Sequence, residues 1–409
     1  MTLSDASSER TRVYVLQSRQ PLTTDPAHAF PADRYDVVVV TDGTAQEVLR
    51  EDVQAGPVTV VRAARDEWDS VVTSMPPDAV EIVTNDEYCV AACARLRDVV
   101  GLPRRHPTNV DGYLDKVVMK CHLAAAGVPV PQAVALDPVV VAARDTAERA
   151  VSTLGLPVVA KPRREANSRG VEMLEDAGAV QAWLARHDGE PGWELEAFVS
   201  GDLGHVNAIV RDGRVEPVQA GRYLGPLLGV GEGRALGGWT VPAGSEWAAR
   251  AHALNRAVVD VLGTDGDFVV HTEFVARPDG RLVVLETAAR APGAGVSELA
   301  LVHAGVQLEI ANLRLQAGLP VPVPEPSGRQ ACWLWLPVPP GRRWDAARDG
   351  ARAAELGVDV RVRQVGREGN DGASAAVGAS VVLVNDAPGG LARTVDAVLN
   401  EPWFRAHAV

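Results

Sequence analysis

Cysteine is scarce and unpatterned. The four residues Cys89, Cys93, Cys121 and Cys332 in a chain of 409 match no zinc-ligand spacing, which excludes a cysteine-built metal knuckle. Cys89 and Cys93 lie four apart in EYCVAACARL, on one face of an expected helix, and read as free buried thiols rather than a disulfide. A basic surplus is also missing. The formal net charge is -13, so the chain lacks the positive stripe of a general nucleic-acid binder, although a local basic pocket can still hold an anion. Long apolar runs are absent too. The N-terminal MTLSDASSERTR carries no apolar signal core, and no run approaches membrane-spanning length. The expectation is a cytoplasmic protein that contacts neither membrane nor nucleic acid.

Two phosphate-binding signatures are missing as well. No GxxxxGK[ST] occurs, which removes a P-loop. GVGEGR at 229–234 is followed by ALGGWTVP instead of a helix, so it reads as a glycine-rich turn or substrate loop and not as a dinucleotide site. No Ser-His-Asp set stands at useful spacing, and no segment repeats.

What is present is an α/β rhythm. RVYVLQS, DVVVVTD, GPVTVVRA and DAVEIVTND are short β-branched runs separated by helix-like or loop segments, as in a parallel sheet covered on both faces. EYCVAACARLRDVVGLP predicts a helix closed by Gly101 and Pro103. This first domain is expected over 1–108, with residues 1–10 disordered. A second unit, 109–190, opens with NVDGYLDKVVMKCHLAAAGVPVP, with Asn109 as its cap and Gly127 in its stop. A third, 191–325, runs from GWELEAFVSG to the proline-rich LPVPVPEPSG, and a small α/β cap fills 326–409.

The chemistry concentrates in HTEFVARPDGRLVVLETAAR, residues 271–290. With Asp279-Gly280 as a two-residue turn, Pro278 faces Arg281 and Glu273 falls opposite Glu286. Opposed Cβ atoms sit about 5 Å apart, so the two carboxylates repel. Either both point into water, or a divalent cation sits between them and shares them with phosphates. His271, Glu273 and Val275 share one strand face, as do Glu286, Ala288 and Arg290. Lys161 ends the buried run LPVVAKP, where a lysine is costly unless it meets an anion. The following RREANSRG, with Gly170, lets backbone N–H groups converge on phosphate. Lys116, inside the LDKVVMK helix, reads by itself as a solvated lysine.

In their order, DKVVMKCHLAAAGVPVP, LGLPVVAKP, a glycine-containing loop, WELEAFVSG, HTE and ETAAR resemble the ATP-grasp superfamily, in particular its carboxylate–amine ligases that include the bacterial L-amino-acid (dipeptide) ligases. The resemblance spans residues 12 to about 315 and fits the C-terminal cap more loosely. It implies an α/β ATP-grasp fold: an N-terminal parallel α/β domain, two α+β grasping lobes and a C-terminal cap. It also implies ATP with Mg²⁺, for which Mn²⁺ can substitute, amino-acid substrates and a homodimer. Lys116 and Lys161 would contact ATP. Ser168, Arg169 and Gly170 would belong to the closing loop, and Glu196, Ala197, Phe198 and Val199 to a hinge reading adenine with backbone groups. Glu273 and Glu286 would hold magnesium, and Arg290 would steady the transferred phosphoryl group or a substrate carboxylate. There are departures: Ala288 stands where many relatives have a metal-binding asparagine, and Leu203 where several have a glutamate for the ribose, with Asp202 a replacement candidate.

Substrate residues are open to two readings each. Glu87, after the fourth strand, can take an ammonium or simply favour a helix N-terminus. His205 lines the pocket or is a core histidine. Arg222 binds a carboxylate bidentately or sits in a surface salt bridge. His271 and Gly293, in APGAG, flank the pair and Arg290. Such parts suit ATP-driven formation of an acyl phosphate, then its capture by an amine, with ADP and phosphate released. The alternatives are a carboxylase-type acyl-phosphate enzyme and a non-catalytic nucleotide-binding regulator.

Overall fold

A computed structural model describes residues 10–44, 48–49, 53, 58–74, 79–136, 143–225, 234–339, 342–362, 377–385 and 390–406. The N-terminal stretch before Arg10 and all of GVGEGR except Arg234 lie outside these residues. The chain begins with β1 (Thr11–Gln17), β2 (Tyr35–Thr41), β3 (Thr59–Arg62), α1 (Trp68–Val72), β4 (Val80–Val83) and α2 (Val90–Val100). The strands form a sheet of order β3-β2-β1-β4, parallel throughout. Its alternating side chains are buried on both faces. Tyr14, Leu16, Val40 and Ile82 pack on Trp68, Cys93 and Leu96 from α1 and α2, while Val13, Val15, Val39 and Val83 face Phe30 and Leu313. Cys89 and Cys93 are buried and free, as expected; Cys332 is also buried and free, and Cys121 is free and exposed.

Next come α3 (Lys116–Ala125), β5 (Ala133–Leu136), α4 (Ala143–Leu154), β6 (Val158–Pro162), β7 (Glu172–Leu174), α5 (Ala177–Arg186) and β8 (Trp193–Ala197). Their sheet, β5-β8-β6-β7, is antiparallel and backed by α4 and α5. Asn109 does not cap α3. It caps a single 3-10 turn, Val110–Tyr113. The α3 cap is Asp115, whose carboxylate accepts from the N–H groups of Val117 and Val118. Lys116 is therefore the first residue of the helix, at the end nearest the cavity, not a residue of its middle.

The remainder contains β9 (Asp202–Arg211), β10 (Arg214–Tyr223), β11 (Leu236–Thr240), α6 (Glu246–Leu262), β12 (Phe268–Ala276), β13 (Leu282–Ala288), α7 (Val296–Ala304), α8 (Leu308–Gln316), β14 (Gln330–Pro337), β15 (Arg342–Arg343), α9 (Arg348–Leu356), β16 (Asp359–Val362), β17 (Val377–Asn385), α10 (Gly390–Leu399) and β18 (Arg405–Ala406). One eight-stranded sheet, β13-β12-β9-β10-β11-β14-β17-β16, runs through it. β14 pairs with β11 across the proline-rich segment, so the C-terminal strands extend the large sheet instead of standing apart from it.

The β12–β13 hairpin reaches the expected register by a different path. Its turn has three residues, Pro278-Asp279-Gly280, closed by Arg277 N–H to Arg281 O and Gly280 N–H to Arg277 O, with Gly280 at φ 85°. That register pairs Phe274 with Val284. A bulge at Leu285 then adds one residue, and Glu273 pairs with Glu286 and His271 with Ala288. The bulge cancels the longer turn.

Helix α8 ties the parallel sheet to the large one through two side-chain amides. Buried Asn312 accepts from Val269 N–H on β12 (2.9 Å) and donates to Thr84 O (3.3 Å) and Asn85 Oδ1 (2.8 Å). Gln316 accepts from Thr84 N–H (2.9 Å) and donates to Thr84 O (2.8 Å). These bonds place the turn after β4, and thus Glu87, against the hairpin. Asn312→Leu orphans the Val269 N–H, while the Thr84 carbonyl keeps Gln316, and is expected to destabilise the protein by about 1–3 kcal/mol; a urea midpoint equal to that of the unmodified protein contradicts this tie.

Candidate active site

Side chains from the two larger antiparallel sheets and from the segments after β1 and β4 meet at one cavity of about 800 Å³, a size suited to a small-molecule ligand. Glu273 and Glu286 open onto it from the hairpin. Their mutual repulsion is already relieved by the protein's own groups. Glu273 Oε1 accepts from the Tyr223 hydroxyl (2.5 Å) and faces His271 Nε2 at 3.4 Å. Burial pushes the Glu273 carboxyl up, but the hydrogen bonds from His271 and Tyr223 outweigh it and hold the group at about 2. Glu286 Oε1 meets Lys116 Nζ at 3.0 Å. The repulsion thus has a remedy inside the protein that neither reading of the sequence, solvent or a divalent cation, included. The donor set still fits magnesium: two opposed hard carboxylates, the described bonds of each falling on Oε1. No group of three or more His, Cys, Asp or Glu able to hold a metal occurs among the described residues.

Lys116 is buried, at 5% exposure, and its Nζ also donates to Glu165 O at 2.7 Å. The solvated-lysine reading is wrong. Lys161 does meet an anion, but a protein one: its Nζ lies 2.8 Å from Glu196 Oε2 and 3.8 Å from Glu194 Oε1. Lys120 completes a buried quartet, 2.5 Å from Glu194 Oε1 and 2.7 Å from Glu196 Oε2. Burial alone would lower Lys161, yet Glu196 and Glu194 raise it. Burial likewise opposes ionisation of Glu196, and Lys161 and Lys120 reverse that and lower it.

Among the expected loop and hinge residues, Ser168, Arg169, Glu196, Phe198 and Val199 line the cavity. Gly170 and Ala197 do not. Gly170, at φ 69°, is required because a Cβ there would stand 2.9 Å from Pro162 Cγ. The N–H groups of Ala197 and Phe198 are committed to Gln132 O and Pro157 O, so those two donors are taken.

Glu87 and Arg290 find each other. Arg290 Nε donates to Glu87 Oε2 at 2.8 Å, Nη2 donates to the same oxygen, and Nη1 donates to Ala291 O at 2.9 Å. Burial works against both charges, and the pairing lowers Glu87 and raises Arg290. Glu87 is thus held by a cation of its own chain, and the readings that gave it a substrate ammonium or a helix dipole omitted this partner. Arg222 stacks over the Trp247 ring at 3.8 Å and reaches Asp202 at 3.5 Å, at the cavity rim. His271 and Gly293 line the cavity, and His271 Nδ1 bonds Asn207 Oδ1 at 2.8 Å. His205 does not line it. It is wholly buried behind Tyr223, and burial, with His271 beside it, pushes it down to about 3. It is a neutral core histidine.

No family model matches the chain. A formate-dependent phosphoribosylglycinamide formyltransferase from Synechocystis sp. is 27% identical over 222 residues, 53% of this chain and 54% of that protein; the match thus spans about half the length of this curated relative. Among solved structures, the L-amino acid ligase from Bacillus licheniformis superimposes with a TM-score of 0.69 at 15% identity, covering 98% of this chain and 100% of that one. The N5-carboxyaminoimidazole ribonucleotide synthetase from Thermus thermophilus gives 0.67 at 18%, covering 96% and 99%. The chain has the ATP-grasp fold.

Within this ATP-grasp chain, sequence reasoning missed Lys120, Glu194 and Tyr223. A signal for the first two existed: Glu194 and Glu196 sit two apart in WELEA, hence on one strand face, and Lys120 follows Lys116 by one helical turn. Tyr223 had none, because only the β10 register brings it to Glu273. The quartet members are 0–7% exposed, so water cannot replace a lost partner. Lys120→Met is expected to cost about 3–5 kcal/mol in denaturant unfolding, and an unchanged midpoint counts against the quartet. Glu273 titrates lower in the folded chain than its ordinary 4.5, so its stabilisation is complete above that pH and is lost as the pH falls through about 2. The stability gap between the protein and Glu273→Gln should therefore shrink steadily from pH 5 to pH 2 in urea titrations; a gap that holds constant contradicts the depressed titration.

No helix among the described residues is long and apolar enough to cross a membrane.

Proposed function

We propose that the protein is an ATP-dependent carboxylate–amine ligase that joins two amino acids as a dipeptide or a side-chain-linked amide, releasing ADP and phosphate. The observation that carries this reading is the convergence of two opposed carboxylates, two buried lysines and a half-buried arginine on one cavity. Adenine binding by a regulator requires neither the carboxylate pair nor Arg290. The similar structure of an L-amino acid ligase across that enzyme's whole length supports the choice of substrates.

In this reading each cation in the wall is kept in place by an internal carboxylate until phosphate arrives. Lys116 exchanges Glu286, and Lys161 exchanges Glu196, for phosphate oxygens. Glu273 and Glu286 would hold Mg²⁺ or Mn²⁺, which when bound neutralises phosphate charge and orients the phosphoryl group. Arg290, anchored by Glu87 and the Ala291 carbonyl, presents its positive charge to the carboxylate being activated. That carboxylate attacks the γ-phosphorus, and ADP leaves. The amine of the second amino acid then attacks the acyl carbon of the acyl phosphate, the C–O bond to phosphate breaks, and the nitrogen loses a proton. The walls keep water from the acyl phosphate.

A second reading, carboxylation through an acyl phosphate, is favoured by the comparable TM-scores of N5-carboxyaminoimidazole ribonucleotide synthetases. A phosphate-release screen over pairs of amino acids, with product masses measured, separates the two: the ligase reading expects a mass equal to both amino acids less one water and no dependence on bicarbonate. ADP must be the nucleotide product, and AMP overturns the mechanism. Hydroxylamine in place of the amine should trap the first substrate as a hydroxamate. Glu286→Gln should abolish turnover in a folded protein, and Lys161→Ala should weaken ATP binding in calorimetry; near-normal turnover or unaltered affinity, respectively, refutes these roles.

A further inference from the structure

We propose that Glu309 is the recognition group for the α-ammonium of the amino acid whose carboxylate is activated, an assignment that rests on the ligase reading. Glu309 lies in the first turn of α8, is 7% exposed and faces the cavity. Six glutamates line that cavity: Glu87, Glu165, Glu196, Glu273, Glu286 and Glu309. The first five face Arg290, Arg19, Lys161, His271 and Lys116 in turn. Glu309 has only neutral partners among the described residues. Oε1 accepts the Thr23 hydroxyl, and Oε2 accepts the Thr24 hydroxyl and Gln307 Nε2 at 3.1 Å. Buried carboxylates are ordinarily matched by a cation, and among the described residues none is paired with Glu309, which faces the cavity.

A helix N-terminus favours a carboxylate, but this helix end is served independently: Gln307 Oε1 accepts from Ile310 N–H at 2.8 Å. The position also suits the reaction. Asn85 Nδ2 donates to Glu309 O at 3.0 Å, and two residues further on Glu87 anchors Arg290. One turn of chain thus anchors the carboxylate-facing cation and adjoins the unmatched anion. An α-amino acid presents its carboxylate and ammonium on a single carbon, so its two charges meet groups of opposite sign here. Thr23 and Thr24 can go on donating to Glu309 while their hydroxyl lone pairs accept from the incoming ammonium.

The test is binding, not turnover. With a non-hydrolysable ATP analogue and Mg²⁺ present, thermal shift and calorimetry are run with each common amino acid and, for alanine, phenylalanine and glutamate, with propionate, 3-phenylpropionate and glutarate. At least one amino acid is expected to bind, with the matched acid lacking the amine weaker by roughly 10- to 100-fold. Glu309→Gln, whose fold is verified by its melting without ligand, should weaken the amino acid by a similar factor and leave the matched acid unchanged. The proposal is overturned if no amino acid binds, if the matched acids bind equally well, or if Glu309→Gln binds the amino acid as tightly as the unmodified protein. The first comparison needs no variant and stands even where the substitution unfolds the chain. Amino acids that bind through Glu309 while ADP never forms with any amine would refute the ligase reading and leave this site intact.

Discussion

Two carboxylates facing each other across a hairpin, in a wall with little water, set the terms for the rest of the molecule. Glu273 and Glu286 cannot share that register without nearby positive charge or hydrogen-bond donors. The fold supplies them from distant parts of the chain: Lys116 from the start of α3, Tyr223 from the end of β10, and His271 from the same strand as Glu273. Each of these groups is held in turn. Asp115 sets where α3 begins, and Asn207 holds the His271 ring. The same principle governs the Lys120–Lys161–Glu194–Glu196 quartet and the Glu87–Arg290 pair. The site consists of mutually neutralised charges, which keeps it folded before any ligand enters.

That arrangement has a consequence for binding. A phosphate entering a cavity of neutralised lysines must displace carboxylates, so its gain is the difference between two ion pairs rather than a whole one. Selectivity then follows from charge number. A ligand that brings both phosphate and a divalent cation can satisfy lysines and glutamates together, whereas phosphate alone would leave Glu286 without Lys116, and Glu196 with Lys120 but not Lys161. Arg290 differs, because it is fixed on the Ala291 carbonyl through Nη1 as well as on Glu87 through Nε and Nη2, so in the proposed reaction it would keep its orientation as the carboxylate approaches.

Much of this was legible from local patterns. The β-branched runs that form β1 to β4, the α2 stop at Gly101 and the buried β6 strand ending in Lys161 each follow from short-range chemistry. The Glu273–Glu286 register was legible only through two compensating irregularities, a three-residue turn and a bulge, neither of which the DG dipeptide announces. Lys116 was misread because a helix lysine is usually solvated, and only the packing of α3 against the hairpin removes its water. For His205 the sequence left pocket and core equally open, and its complete burial against the Tyr223 ring decides for the core.

The ordered motifs were sufficient to determine the fold: the periods of the strands, the caps of the helices and the succession of lysine, loop, glutamate and arginine segments reflect neighbours along the chain, where physical preference is local. Tertiary structure alone decided which charge meets which. Glu87 and Arg290 are 203 residues apart, Thr24 and Glu309 285 apart, and no spacing rule joins them. Ion pairing depends on distance and burial in three dimensions, and both are fixed only when α8, through Asn312 and Gln316, brings the parallel sheet against the large one.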